Sequence, residues 1–294
     1  MKNALEVSHL TKDYGSFKLD DVSFTVPGGT IMGLIGENGA GKSTTIKCIL
    51  NLVRRDGGEI QVLGLDNLAD ERAVKAQVGV VLDETTFHDG LSAPQVGSIL
   101  ARLYPGWDGA LYQHYLEKFG LTSKKLVKTF SKGMKMKLSL AAAFAARPRL
   151  LILDEATSGL DPVVRDEILD EFLAFIQDEE HAILLSSHIT SDLEKVADYV
   201  TIHVPYNNDT KDFINAEAIS KMKGQVRILN LARGGLVNDD DMIEALESSP
   251  LICALGPGDF TEVGHFIVIA GYENGAFRVL DPNSRANSEK SWSY

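Results

Sequence analysis

The stretch Gly36–Thr44, which reads GENGAGKST, decides the fold of this chain. It meets the pattern G-x-x-x-x-G-K-[ST] of a phosphate-binding loop. An apolar segment, Thr30–Ile35, precedes it, and we predict a helix over Thr44–Leu52 behind it. Glycines let successive backbone N–H groups converge on a phosphate at the positive end of a helix. A glycine-rich turn that binds nothing is the alternative, and the carboxylates found further along the chain argue against it.

The residues of this loop are predicted to bind a nucleotide with Mg²⁺. Lys42 would reach the β- and γ-phosphates, and the hydroxyl group of Ser43 would bind the metal. Phosphate-binding roles, mostly through backbone N–H groups, are predicted for Gly36, Asn38, Gly39, Ala40, Gly41 and Thr44.

A second segment, Leu150–Glu155 (LLILDE), reads as a buried strand that ends in two carboxylates. Ligands of open α/β sheets bind at the carboxyl ends of the strands. We therefore predict that Asp154 holds Mg²⁺, directly or through water, and that Glu155 orients and polarises the attacking water. Phosphoryl transfer needs such positioning, a metal and charge compensation rather than covalent chemistry. Many buried strands end in acids, so this motif is informative only together with the phosphate loop.

A third apolar strand, predicted over Ala182–Ser187, ends just before His188. A lone histidine is usually structural or solvated. The order and spacing after LLILDE favour instead a contact between His188 and the γ-phosphate.

Composition places the chain among globular proteins without direct nucleic-acid contacts. Its 294 residues allow one large domain or two ordinary ones, and 44% hydrophobic with 24% charged residues is an ordinary globular balance. A net charge of −12 disfavours a nucleic-acid partner. We interpret a local group of lysines as a solvated face that also attracts a partner's nucleotide: Lys124, Lys125, Lys128, Lys132, Lys135 and Lys137.

No membrane span or signal peptide is predicted, because no segment has about 18 uninterrupted apolar residues and the first residues lack a basic-then-apolar pattern. The two cysteines, Cys48 and Cys253, suggest no disulfide framework, which fits a reducing cytoplasm. Cys48 is predicted to pack as a small apolar residue.

The motifs occur in an order that resembles the ATP-binding subunits of ABC transporters. The resemblance covers about residues 1–203, through GENGAGKST, then FSKGMKMKLSLAAAFAARPRLLILDEATSGLDP, then LLSSHITSDLEKVADYV. It implies an α/β fold: a P-loop NTPase core with an N-terminal antiparallel β-subdomain and an inserted helical subdomain at about 92–146. A small mixed α/β tail would follow.

The resemblance also implies roles for single residues. Tyr14 would stack on adenine, and Ser131 with Gly133 would be the signature that closes on the ATP of the opposite subunit. Asp161 would communicate between subunits, and His188 would be the switch histidine.

Two positions depart from the family pattern. The signature reads FSKGM rather than LSGGQ, so that Lys132 and Met134 are substitutions while Ser131 and Gly133 remain. Asp83 stands where the family usually has a glutamine. A carboxylate can reach Mg²⁺ through water but cannot donate a hydrogen bond as glutamine does, so coupling to a partner is expected to be tuned differently. Both departures resemble one bacterial subgroup of exporter-type ATPases.

The implied function is that of a cytoplasmic ATPase, peripheral on the inner face of the cell membrane. It would couple MgATP hydrolysis to a separate membrane permease, with export favoured, and form a head-to-tail dimer with a second ATP-binding subunit. Two rivals stay open: an ABC ATPase that acts on nucleic acid or ribosomes, and a chimeric chain that binds ATP without hydrolysing it.

The next segment, 204–248, changes character. Residues about 198–248 resemble the second half of the NAD-binding domain of D-isomer-specific 2-hydroxyacid dehydrogenases, through HVPYNNDT, FINAEAISKMK and ILNLARGGLV. Arg233 matches the arginine that binds substrate carboxylate in that family. No GxGxxG precedes the fragment, so hydride transfer is not expected. We predict a helix over 216–223, a strand over 225–231 and a helix over 239–247.

The last segment, 249–294, changes character again. Residues about 250–294 resemble the end of papain-like bacterial cysteine peptidase domains, with His265 and Asp281 at two triad positions. The nucleophile would lie in an absent upstream segment, and Cys253 is too close to replace it. Strands are predicted over 265–271 and 275–280 with a turn at 273–275.

The sequence therefore resembles a mosaic of three families. We interpret it as a fused or misassembled reading frame whose tail consists of two domain fragments. Each fragment is small enough to have a marginal core of its own. The tail is expected either to dock on the ATPase sheet in place of a missing hairpin or to stay loosely ordered.

Overall fold

The computed structural model describes residues 2–293 with these gaps: 37–38, 83–86, 122–123, 159, 188–194, 203–210, 223–225, 231–235, 239, 243–250, 256–264, 274–275 and 281–290. It divides into two compact units, one of Met1–Ile31 with Ser43–Ser186 and one of Met32–Lys42 with Ser187–Tyr294.

The described strands and helices have the following bounds. The strands are β1 Asn3–Asp13, β2 Lys18–Pro27, β3 Ile31–Ile35, β4 Gly57–Val62, β5 Leu65–Asp66, β6 Val78–Val81, β7 Leu150–Asp154, β8 Ala182–Ser187, β9 Tyr199–Ile202, β10 Arg227–Asn230, β11 Leu251–Leu255, β12 His265–Glu273, β13 Ala276–Leu280 and β14 Ser291–Ser293. The α-helices are α1 Lys42–Ile49, α2 Glu71–Lys75, α3 Ala93–Leu103, α4 Gly109–Lys118, α5 Lys132–Ala145, α6 Pro162–Phe175 and α7 Ala216–Lys221. No helix within these described ranges is both long and apolar enough to cross a bilayer.

An antiparallel sheet with the order β2-β1-β4-β5 forms the β-subdomain of the first unit. The residues of β1 alternate only in part between the buried and the solvent side, and the register shifts at several points along the β1–β2 pair. This sheet is the N-terminal antiparallel subdomain that the sequence predicts.

Three helices, α3, α4 and α5, lie in the predicted helical region, 92–146. Ser92 begins α3 through a capping box with Gln95, and Pro94 favours that start. The Tyr112 hydroxyl group donates a 2.7 Å hydrogen bond to the Ala93 carbonyl, which ties α4 to α3. Gly97 allows this approach, since a Cβ there would lie 2.3 Å from the Tyr112 ring.

Three parallel strands, β6, β7 and β8, form the buried sheet of the first unit. Leu150 of β7 pairs with Val78 on one side and with Ala182 on the other. Every residue of β7 and β8 is buried, as expected for parallel strands that read as continuous apolar runs. The strand predicted over Ala182–Ser187 is confirmed at both ends.

In the second unit, β3, β9 and β10 are parallel neighbours. Tyr199 of β9 pairs with Met32 of β3 and with Arg227 of β10. The predicted strand at 225–231 is therefore present as β10, and it extends the sheet through β9, so this part of the tail docks rather than remaining loose. The predicted helix at 216–223 ends earlier, because the backbone turns extended at Met222. Of the helix predicted over 239–247, only 240–242 lies in a described helical stretch.

An antiparallel sheet with the order β11-β12-β13-β14 contains the end of the chain. Strands β12 and β13 confirm the two predicted there, with Ile269 paired to Val279. The turn predicted at 273–275 falls where the two strands meet, because Glu273 pairs with Ala276, while 274–275 lie outside the described residues. Flanking strands β11 and β14 were not predicted.

Candidate nucleotide-binding site

The phosphate loop connects β3 to the first residue of α1 in the second unit. Gly39 and Gly41 have φ values of +89° and +98°, in the left-handed region that favours glycine. Lys42 is buried, and its ammonium group donates a hydrogen bond to the Gly36 carbonyl across the loop. Both glycines thus have the positive φ expected of a glycine-rich phosphate loop, while Asn38 lies outside the described residues.

Two carboxylates lie at the end of β7, Asp154 as its last residue and Glu155 directly after it, in the first unit together with a serine of the neighbouring strand. Asp154 is buried, and its Oδ1 accepts a 2.6 Å hydrogen bond from the Ser186 hydroxyl group at the end of β8. The Glu155 backbone N–H donates to the same Ser186 Oγ at 3.1 Å and to the Ser186 carbonyl at 3.2 Å. Glu155 itself has a φ of +53°, an uncommon conformation for a residue with a side chain. The strand end is therefore held in one geometry by Ser186.

Sequence reasoning missed Ser186. The sequence contains a pair of serines at the end of an apolar strand, but a serine there does not by itself predict a functional contact. Only the pairing of Asp154 with Ser186 between β7 and β8 shows that its hydroxyl group faces the carboxylate.

Ser43 and Thr44, which continue α1 in the first unit, are half-buried. Within the described part of the chain, no group of three or more His, Cys, Asp or Glu side chains could bind a metal by itself. A hydroxyl group and a carboxylate oxygen are nevertheless hard ligands of the kind that Mg²⁺ prefers. Mg²⁺ commonly takes one or two protein ligands, and phosphates and water complete its shell.

Tyr14 lies in the turn between β1 and β2, where its backbone N–H bonds the Phe17 carbonyl. The side chain is half-exposed, and the Lys12 ammonium group lies 5.3 Å from the ring centroid. A 2.9 Å hydrogen bond to Asp56 fixes that ammonium group and raises the pKa of Lys12. Asp56 also accepts from the Asp13 backbone N–H, which is the main reason that its own pKa is lowered. The turn is thus anchored while the ring stays accessible.

The signature residues and Asp161 occupy the starts of two neighbouring helices. Ser131 caps α5, where its Oγ accepts from the Met134 backbone N–H, and Asp161 caps α6 in the same way. A Cβ at Gly133 would lie 3.6 Å from Val164 Cγ1 near the start of α6. The structure therefore brings Ser131, Gly133 and Asp161 together on the surface of the first unit.

Several predicted residues lie outside the described ranges, namely Asn38, Asp83, His188, Arg233 and Asp281. Cys48, by contrast, is buried in α1, and burial raises the pKa of its thiol, in agreement with the predicted packing role.

Comparison with known proteins identifies the family. A family model described as ABC transporter matches residues 19–158. The bacitracin transport ATP-binding protein of Bacillus licheniformis is 35% identical over 205 residues, which cover 69% of this chain and 67% of that protein. The chain belongs to the ATP-binding subunits of ABC transporters. Members of this family bind and hydrolyse ATP on a P-loop core, so the chain is a P-loop ATPase.

Further relatives support the same family assignment. A lantibiotic transport ATP-binding protein of Streptococcus pyogenes is 36% identical over 199 residues, covering 67% of this chain and 85% of that protein. A solved structure described as the ATP binding subunit of an ABC transporter superposes with a TM-score of 0.62 at 32% identity, covering 68% of this chain and 85% of the other. The predicted α/β P-loop fold is therefore confirmed.

A second family model, the NAD binding domain of D-isomer specific 2-hydroxyacid dehydrogenases, matches residues 175–256. The ABC transporter ATPase thus carries the dehydrogenase-like segment that the sequence predicts. The match begins at residue 175 rather than near 198, so it includes β8 and β9, parallel strands of a kind that both α/β families contain.

Proposed function

We propose that this ABC ATPase hydrolyses MgATP and couples the reaction to export by a separate membrane permease. The proposal is carried by the buried Asp154, whose carboxylate accepts a hydrogen bond from Ser186 and which Glu155 follows. The same chain has a phosphate loop in which Lys42 donates a hydrogen bond to the Gly36 carbonyl. The family assignment supplies the context in which these two features serve one nucleotide.

Each residue at the phosphates has a proposed role. Backbone N–H groups of Gly36, Asn38, Gly39, Ala40, Gly41 and Thr44 would bind phosphate oxygens, and Lys42 would neutralise charge on the β- and γ-phosphates. Ser43 and Asp154 would hold Mg²⁺, which when bound compensates charge on the transferred phosphoryl group.

Glu155 is proposed to accept the proton of the attacking water, and Ser186 to keep the strand end in place for it. The half-buried carboxylate of Glu155 follows a backbone that Ser186 holds with two hydrogen bonds. Orientation of this kind contributes to rate by positioning alone. Asp83 would contact Mg²⁺ through water, His188 would contact the γ-phosphate, and Tyr14 would stack on adenine.

A head-to-tail dimer of ATP-binding subunits is proposed for the active state. Ser131 and Asp161 are exposed, and beside them Val163 is 77% exposed on the first turn of α6. A single exposed valine is ordinary on a protein surface, so the proposal rests on the two adjacent exposed helix caps and on the family assignment. Ser131 and Gly133 would contact the second subunit's ATP, and Asp161 would contact that subunit's loop.

The permease is proposed to bind a groove between β6 and helices α3 and α5. The groove has a volume of about 280 Å³, and its lining includes Val81, Leu100, Tyr104 and Ala143. At the same side of α3, Leu103 is 68% exposed. Such binding would place the ATPase in the cytoplasm, peripheral on the inner face of the cell membrane.

The domains are proposed as 1–203 for the ATPase, 204–248 for the dehydrogenase-like fragment and 249–294 for the peptidase-like fragment. Neither fragment is proposed to be catalytic. Strand β10 gives the first of them a structural role at the edge of β9. The likeness of the second to papain-like peptidases rests on the sequence pattern around His265 and Asp281, and no family model supports it.

Permease coupling is tested by fractionating host cells that express the full chain. We expect the chain in the membrane fraction, and Leu103→Asp to release it, because a charge in an apolar interface is costly. Leu52→Asp is the matched control, since Leu52 is 57% exposed away from the groove. A chain that stays in the soluble fraction with and without Leu103→Asp would contradict the proposal and favour an ABC ATPase without a permease.

A further inference from the structure

Helices α5 and α6 begin side by side, and successive contacts between them lie further along both helices. Gly133 faces Val164 within the first turn of each helix. About one turn further, the Lys137 ammonium group lies 2.7 Å from the Glu167 carboxylate. The two helices therefore run in the same direction here, with their positive N-terminal ends adjacent, an arrangement that helix dipoles alone disfavour.

One turn beyond Glu167, a second carboxylate of α6 is held by α4. Glu171 is 5% exposed, and its side chain is paired with the Lys118 ammonium group at the end of α4. Tyr115 of α4 lies near the same carboxylate. Burial, and after it the charge of Glu171, raises the pKa of Tyr115 to about 12.

These five residues, Tyr115, Lys118, Lys137, Glu167 and Glu171, form what we call the α6 charge cluster. Its two carboxylates are four residues apart and so lie on one face of α6. Lys137 is additionally held over the Phe119 ring, 5.6 Å from its centroid. Each helix that carries a member is thus fixed to α6 by a directional contact.

Buried ion pairs are poor devices for stability, since apolar residues of similar size are often as stabilising. They differ from apolar contacts in permitting little sliding between the helices that they join. The two pairs of α6 each have one largely buried partner, Glu171 in one and Lys137 in the other. Their place on one face of α6 points to a geometric task. The objects being positioned are the Ser131 cap of α5 and the Asp161 cap of α6. The Glu167–Lys137 pair joins these two helices directly, and the Glu171–Lys118 pair joins α6 to α4, which packs on α5.

We propose that Glu167 and Glu171 are positioning residues which hold the Ser131 cap and the Asp161 cap in a fixed mutual arrangement, so that both meet a second subunit at once. The inference rests on the proposed head-to-tail dimer. It adds that the ability of Ser131 and Gly133 to contact the second subunit's ATP depends on Glu167 and Glu171, which lie two and three turns along α6 from that surface.

The test uses the full chain with Glu155→Gln, because the proposed role of Glu155 predicts that this variant binds ATP without consuming it. ATP-dependent dimerisation is measured by analytical ultracentrifugation, and ATP affinity of the monomer by fluorescence titration. Lys137→Glu and Glu167→Lys are made singly and together, and Glu171→Gln separately. The control reverses an exposed pair of α2, through Glu71→Lys with Lys75→Glu.

We expect each single reversal to weaken dimerisation about tenfold or more, because a 1 Å misplacement can reduce function by about 100-fold. The paired reversal restores it, Glu171→Gln weakens it, and monomer affinity for ATP stays unchanged in all of them. If a single reversal fails to fold, Glu167→Gln replaces it and loses dimerisation in the same direction.

Two results would overturn the inference in distinguishable ways. Variants that melt at lower temperature but dimerise like the parent would show a merely structural role for the cluster. A parent that binds ATP without dimerising would remove the head-to-tail proposal and the inference with it.

Discussion

Substitution of Ser186 by alanine tests how the strand end holds Asp154 and Glu155, the carboxylates proposed to act in ATP hydrolysis. The change removes the 2.6 Å hydrogen bond to Asp154 and the 3.1 Å hydrogen bond from the Glu155 backbone. It leaves the 3.2 Å bond from Glu155 to the Ser186 carbonyl. The backbone turn therefore survives, while Asp154 becomes a buried carboxylate with one donor fewer.

The size of the effect follows from these contacts. A hydrogen bond to a charged group contributes about 1.5–3 kcal/mol, and about 1.4 kcal/mol in the barrier is a tenfold change in rate. Since one backbone bond remains, we expect the lower part of that range, a fall in kcat of about 10- to 30-fold, in line with losses of about 10- to 100-fold when partners of metal ligands are removed.

The assay is steady-state ATP hydrolysis as a function of Mg²⁺ concentration. We expect Ser186→Ala to lower kcat and to raise the Mg²⁺ concentration needed for half-maximal rate, with ATP affinity in the absence of metal unchanged. Ser220→Ala is the control, because its hydroxyl group bonds a helix carbonyl on the exposed surface of α7. A Ser186→Ala enzyme within twofold of the parent in both quantities would refute the reasoning.

Three further predictions concern other parts of the first unit. Tyr14→Ala should weaken ATP binding about 5- to 100-fold in a fluorescence titration while Tyr14→Phe does not, because stacking of a base on an aromatic ring contributes about 1–3 kcal/mol; equal affinities would count against adenine stacking. Gly97→Ala should lower the free energy of unfolding in urea by about 1–3 kcal/mol, since a Cβ would meet the Tyr112 ring at 2.3 Å, and an unchanged midpoint would show that α3 and α4 can separate without cost. Asp108 caps α4 by accepting a hydrogen bond from the Leu111 backbone N–H, which lowers the pKa of its carboxyl group. A carboxyl group with a lowered pKa stabilises the fold at pH values above its unfolded-state pKa, and this stabilisation is lost as the pH falls through the folded-state pKa. The loss of stability caused by Asp108→Asn, measured in melts at several pH values, should therefore shrink on acidification, and a loss that grows would contradict this sign.

The sequence predicts the site best where a local pattern has a unique physical solution. Glycines at Gly39 and Gly41 adopt the positive φ that a phosphate loop requires, and Leu150–Asp154 is a buried parallel strand because it is apolar throughout. Both consequences follow from short segments, without knowledge of what lies beside them.

Contacts between distant segments could not be predicted in this way. The bond of Ser186 to Asp154 depends on the pairing of β7 with β8, and the proximity of Gly133 to Val164 depends on how α5 and α6 pack. In the tail, β11 and β14 are short strands whose partners are not local, and short apolar runs are ambiguous between strand and helix. The mosaic pattern indicated a foreign tail, but it left open whether β10 would pair with β9.

The central claim is tested most directly by MgATP turnover of the purified full chain beside its Glu155→Gln variant, with ATP binding measured on both. The account predicts turnover by the full chain, its loss in the variant, and equal ATP binding by the two proteins. Contradiction would come from a full chain that binds ATP without hydrolysing it, or from a variant that hydrolyses ATP as fast as the parent.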